Sequence, residues 1–147
     1  MQSCEIKFND KQTTKQIKNI LEHTKNIAIV GLSPDENKAS HFVAKNLQKA
    51  GFKIYPIYPS CDEILGEKVY RNLDEISDTI DTVVMFRKAE FAQILFPIIL
   101  KKNIKNFWLQ VGIINDEIKT LCMQNHINFM QDRCIWVEFE KLNKDKQ

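Results

Sequence analysis

Short apolar runs, each closed by Gly, Pro or a charged residue, recur along this chain with helical patterns between them. The runs are "NIAIVG" (26–31), "FKIYPIYP" (52–59), "IDTVVMFR" (80–87), "IKNFWLQVG" (104–112) and "INFMQD" (127–132). They are rich in β-branched residues and too short for helices, so they read as strands buried on both faces. Between them the period changes. Residues 40–51 put Val43, Leu47 and Ala50 on one helical face, with Gly51 suited to the C-terminal cap. Residues 89–103 form a helix that Pro97 either kinks or starts late. Residues 115–126 form a helix capped by Asn115. "GEKVYRNLDEI" (66–76) holds a brief strand at Val69-Tyr70 and a short helix. Strands alternating with helices predict a doubly wound α/β domain, a mainly parallel five-stranded sheet with helices on both faces.

A leader from Thr14 to Thr24 carries Ile17, Ile20 and Leu21 at helical spacing and is expected to pack on that sheet. The 147 residues contain no repeat, low-complexity tract or linker, so the chain reads as one domain, 1–147, fraying at 1–11 and 143–147.

Composition narrows the function. The chain is 44% hydrophobic and 27% charged with a net charge of +2, which gives no electrostatic case for nucleic acid or an anionic membrane. No apolar stretch approaches the roughly 20 residues of a membrane span, and "MQSCEIKFND" lacks the apolar core of a secretory signal. A cytoplasmic location is the expectation. Cys4, Cys61, Cys122 and Cys134 are far apart, with no C-x-x-C pair to hold zinc, so free thiols are expected and no metal.

In doubly wound sheets ligands sit beyond the carboxyl ends of the strands, where strand order reverses. The segments that reach this edge are Gly31-Leu32-Ser33, Tyr58-Pro59-Ser60, Phe86-Arg87-Lys88 and Gln110-Val111-Gly112. Gly31 allows a tight exit from its strand, the N–H groups of the following helix attract phosphate, Ser33 and Ser40 add hydroxyls, and Lys38 adds charge. The competing reading is that Asn37 or Ser40 merely caps the helix; on this loop alone the two stand even. A NAD site would need further glycines and an acid at the end of the second strand. That place holds Tyr58 and Pro59, which favours a nucleotide with a phosphate on its ribose or a long pendant chain.

Five stretches in order, "IAIVGLSPDENKASHFVAKNLQKAGFKIYPIYP", "LGEKVYRNLDEI", "VVMFRKAE", "FWLQVGIINDE" and "MQDRCIWVEFEKL", resemble the small single-domain CoA-binding proteins. Those in turn resemble the N-terminal domain of the succinyl-CoA synthetase α-subunit. The resemblance spans about residues 12–142 and implies a Rossmann-like domain that binds coenzyme A or an acyl-CoA. It implies that Gly31, Leu32, Ser33, Pro34 and Ser40 approach the pyrophosphate and that the Pro56–Pro59 turn, with Tyr58, borders the adenine and ribose. By the same resemblance Arg87 and Lys88, beside Phe86, meet phosphate charge, and Gln110 and Gly112 line the pantetheine path. Two positions depart from the family pattern. Tyr58 stands where Asn is usual, and Phe139 stands where a Cys-x-x-x-Glu-His pattern has its histidine.

Catalytic machinery is not evident. His23, His41 and His126 form no Ser-His-Asp or Cys-His-Asp order, and His41 reads more simply as a helix-start residue touching backbone or solvent. Arg133 beside Cys134 would favour a thiolate able to meet the CoA sulfur, against the plainer reading of a buried structural cysteine. The expectation is a non-catalytic carrier, sensor or partner module for CoA. The alternative is a nucleotide-dependent enzyme, either an NADP reductase or one separated subunit of an acyl-CoA ligase. The aromatic segment "CIWVEFEKL" offers a homodimer or partner contact.

Overall fold

The computed structural model describes residues 2–145, with side chains from 11 to 144. Helix α1 (Gln2–Glu22) leads into β1 (Asn26–Val30), α2 (Ala39–Lys49) and β2 (Lys53–Ile57). A small hairpin, β3 (Glu63–Ile64) and β4 (Glu67–Lys68), and a 3-10 turn at Leu73–Glu75 follow. The chain then alternates through β5 (Thr82–Met85), α3 (Phe91–Lys101), β6 (Asn106–Leu109), α4 (Asp116–Gln124), β7 (Asn128–Met130) and α5 (Ile135–Asp145).

Five strands make one parallel sheet in the order β2-β1-β5-β6-β7. The chain builds outward from β1 to β2, then crosses back to β5 on the other side of β1. Strand order therefore reverses between β1 and β5, and the two loops leaving these strands diverge there.

The pleat explains the runs of consecutive apolar residues. Ala28, Val30, Val83, Met85, Phe107 and Leu109 face one way, covered by α3 and α4 through Leu95, Ile99, Ile118 and Cys122. Ile27, Ile29, Val84, Trp108 and Met130 face the other way, under Ile17, Ile20 and Leu21 of α1, Val43 and Leu47 of α2, and Ile135 of α5. Both faces are dry, so alternation with polar residues is absent. The expected leader helix packs as its spacing requires, with Ile17, Ile20 and Leu21 all buried.

A polar seam closes the amino end of the sheet. The Thr24 and Thr82 hydroxyls are 2.8 Å apart, Asn106 Nδ2 donates to Thr82 at 3.1 Å, and Asn128 Nδ2 donates to Asn106 at 2.8 Å. Asp81 Oδ2 accepts the N–H groups of Lys25 and Asn26. Every partner is satisfied locally, which keeps buried polar groups from penalising the fold.

Four details differ from the sequence expectations. Ala50 does not join the buried face of α2: it is the exposed C-cap, and Gly51 follows at φ +108°. Helix α3 starts at Phe91 and runs across Pro97, which is exposed, so the proline marks no late start. The strand expected at Val69-Tyr70 lies two residues earlier, at Glu67–Lys68, and Tyr70 makes only an isolated bridge to Ile57. The segment 134–142, expected to offer a homodimer or partner contact, falls almost wholly in α5 (Ile135–Asp145), a helix not read from the sequence. Trp136 and Phe139 stack at 5.7 Å, and Phe139 meets Phe52 edge-on at 5.2 Å, so these rings turn toward the chain's own sheet. The helical spacing of Ile135, Phe139 and Leu142 was the available signal. Of the expected frayed ends, Met1 and residues 146–147 lie outside the described residues.

Candidate functional site

The loops at the reversal are tied to each other by main-chain bonds. Gly31 N–H donates to Ile57 O at 2.9 Å and Phe86 N–H donates to Val30 O at 2.8 Å, which joins the exits of β2, β1 and β5. Gly31 sits at φ +85°, and a Cβ there would lie 2.9 Å from Phe86 O and 3.1 Å from Arg87 Cδ. Only glycine permits both the turn and the close approach of the two loops.

Beyond Gly31 the loop folds back on α2. Leu32 is fully buried, main chain included, and packs inward rather than toward the edge. The Ser33 peptide is gripped on both sides, with its N–H donating to Ser40 Oγ at 3.0 Å and its carbonyl accepting from His41 Nδ1 at 3.0 Å. That bond fixes the proton on Nδ1 in the neutral ring. The Ser33 hydroxyl accepts Asp35 N–H at 3.1 Å. The N-cap of α2 is Lys38, which makes no side-chain cap bond, so neither Asn37 nor Ser40 caps the helix in the expected way. The buried Ser40 and His41 close the loop instead, and Pro34 and Lys38 remain exposed. The His41 and Phe42 N–H groups both donate to Lys38 O, at 3.1 and 3.2 Å, so the first turn of α2 already closes on its own N-cap.

At the exit of β5, Phe86 is half-buried while Arg87 and Lys88 are exposed. The Arg87 guanidinium lies 4.5 Å over the Phe91 ring, a contact that leaves its N–H fork open at the edge. Arg87, Lys88, Glu90, Phe91 and Ile94 together border a notch of about 280 Å³.

At the exit of β2, Tyr58 is half-buried and Pro59 exposed. Tyr58 N–H donates to Tyr70 O at 3.0 Å, and the Tyr58 carbonyl accepts from Arg71 Nη1 at 3.0 Å. No acid occupies the end of this strand. Arg71 carries no signal in the sequence, because only the pairing of Tyr70 with Ile57 brings it alongside β2.

At the exit of β6 the arrangement differs in kind. Gln110 is buried, and its Oε1 accepts Ile135 N–H at 3.0 Å. Gly112 N–H donates to Asp132 Oδ1 at 2.7 Å, and Trp108 Nε1 donates to Arg133 O at 2.8 Å. Three residues near the end of β6 thus hold the 132–135 turn. The turn borders a groove of about 460 Å³ that includes Val111, Cys134 and Val137. Cys134 is half-buried, and Arg133 reaches Glu138 at 3.8 Å. Cys61, Cys122 and Cys134 are free thiols; the Cys4 side chain lies outside the described residues. Burial pushes the Cys122 thiol up to about 12 and removes it from chemistry. Among the described residues no cluster of His, Cys, Asp and Glu could hold a metal ion, and no helix is long and apolar enough to cross a membrane.

The structure so far defines a doubly wound α/β domain with an open, cation-bearing carboxyl edge. Residues 25–140 match the CoA binding domain family, and the chain belongs to it. It is 38% identical over 122 residues to the uncharacterized protein YneT of Bacillus subtilis, covering 83% of this chain and 90% of that one. It is 29% identical over 135 residues to an ADP-forming acetate–CoA ligase of Methanocaldococcus jannaschii, covering 84% of this chain but only 19% of the ligase. A hypothetical protein of Pyrococcus horikoshii superposes with a TM-score of 0.83 at 31% identity, covering 88% of this chain and 91% of the other.

Proposed function

We propose that this chain binds coenzyme A or an acyl-CoA at the carboxyl edge of its sheet, without catalysing a reaction, as a carrier, sensor or partner module. The observation that carries the reading is the Gly31 crossing. It brings the loop that leads to α2 against Arg87 at the point of strand reversal, setting that cation beside the loop. Membership of the CoA binding domain family supports the identity of the nucleotide. In this reading the Lys38, Arg87 and Lys88 cations hold the pyrophosphate against the Gly31–Pro34 loop, where the Ser33 hydroxyl can still donate its proton. Tyr58 and Pro59 flank the adenosine, Phe86 lends apolar contact, and Gln110 and Gly112 fix the wall along which pantetheine runs. Leu32, Ser40 and His41 shape the loop from inside.

The non-catalytic part rests on how the reactive groups are used. The His41 ring is bound to a main-chain carbonyl and Cys122 is buried. A second reading has a specific observation behind it: the chain spans about one fifth of an acetate–CoA ligase and less than that of another such ligase's α-subunit. In that reading it works as one separated part of a ligase. Native mass spectrometry of the purified protein tests both. An added mass near that of CoA is expected; a retained nicotinamide dinucleotide would overturn the reading, and a stoichiometric protein partner would favour the ligase.

A further inference from the structure

We propose that Arg71 determines specificity at this site by recognising the phosphomonoester on the ribose of the bound nucleotide, the 3′-phosphate of CoA. The proposal rests on the CoA-binding reading and deepens it. Tyr70 N–H donates to Pro56 O at 2.9 Å and its carbonyl accepts Tyr58 N–H at 3.0 Å, so the strand-like segment entering Arg71 lies against the carboxyl end of β2. From there Arg71 Nη1 donates to two main-chain carbonyls of the β2 exit, Tyr58 O at 3.0 Å and Ser60 O at 3.4 Å. The guanidinium is thereby oriented by backbone, yet its side chain keeps 43% exposure.

Its free side faces Asp62 at 3.6 Å, well beyond the 2.7–2.9 Å of a charge-assisted bond. The Asp62 side chain is fully exposed, so the pair is screened and weak, and an incoming anion can displace it. The other nearby carboxylate, Glu75, is engaged elsewhere, accepting the N–H groups of Arg71 and Asn72 at 2.7 and 3.0 Å. A NAD site needs an acid at this strand end to accept from the ribose diol. A guanidinium fork offers the diol no acceptor, but it matches a phosphomonoester in both charge and shape. Two anionic groups on one ligand then meet two separate cation sets. Lys38, Arg87 and Lys88 serve the pyrophosphate, and Arg71 serves the ribose phosphate.

Titration calorimetry with CoA and dephospho-CoA, on the wild-type chain and on Arg71→Gln and Arg71→Lys, tests this. Wild type is expected to favour CoA by about tenfold or more, the scale of one bond to a charged group. Arg71→Gln should remove that preference by weakening CoA alone, and Arg71→Lys should restore part of it. Dephospho-CoA is the control for loop structure. If Arg71→Gln weakens both ligands equally, the residue only supports the β2 exit and the proposal fails. It fails as well if the preference survives the substitution. A preference for NADP over NAD that Arg71→Gln abolishes, with no response to CoA, would assign the phosphate to a dinucleotide and overturn the CoA reading instead.

Discussion

Single residues set this site through conformation more than through charge. Gly31 holds φ +85° with no room for a Cβ beside Phe86 O. Gly31→Ala should therefore lower stability by about 2 kcal/mol from strain and displaced backbone, measurable by urea denaturation. An unchanged midpoint would show that the two loops are free to separate. Two buried acids make a second prediction at this scale. Tyr55 is pushed up to about 12, first by burial and then by its hydrogen bond to Asp78, and burial does the same to Cys122. Both groups hold their protons more tightly folded than unfolded. Their contribution is intact below their ordinary values of 10.0 and 9.0 and is lost as pH rises from there toward 12. Urea midpoints should fall over that interval, and Tyr55→Phe should flatten the fall; identical slopes would refute the assignment. Residues such as Gly31 were legible in the sequence because an apolar run ending in Gly has few geometric outcomes. The tasks of Ser40 and Gln110 were not, since each depends on a partner that folding brings near: Ser33 for one, Ile135 for the other.

At the scale of elements, strands β1, β5 and β6 were legible because both of their faces are covered, which demands unbroken apolar runs. The β3–β4 hairpin was hidden because two-residue strands carry no periodicity. Helix α5 was hidden behind its own aromatics, which suggest a partner surface until Phe52 is seen beneath them. The ring contacts among Phe52, Trp136 and Phe139 make α5 part of the fold. Phe139→Ala should cost about 1–3 kcal/mol, below the usual range for a core Phe because the ring is half-buried. The mass by light scattering should not change. A loss of oligomeric state at constant monomer stability would show instead that these rings meet another chain.

For the molecule as a whole, the strand order 2-1-5-6-7 fixes where the loops after β1 and β5 part, the position at which doubly wound sheets take their ligands. The carboxyl edge was legible from the alternation of elements, but the place of the reversal, between β1 and β5, was not, because alternation does not give the strand order. What the order cannot supply is the ligand's identity; the proposed CoA reading draws it from the chemistry at three exits: a glycine crossing, exposed cations, and no acid after β2. Membership of the CoA binding domain family agrees with that chemistry. The most direct test is calorimetric titration of the purified chain with CoA, acetyl-CoA, NAD and NADP side by side. One site per chain for CoA or acetyl-CoA at micromolar or tighter affinity, and none for NAD, is the expected result. No heat with either CoA species below millimolar concentration would contradict it.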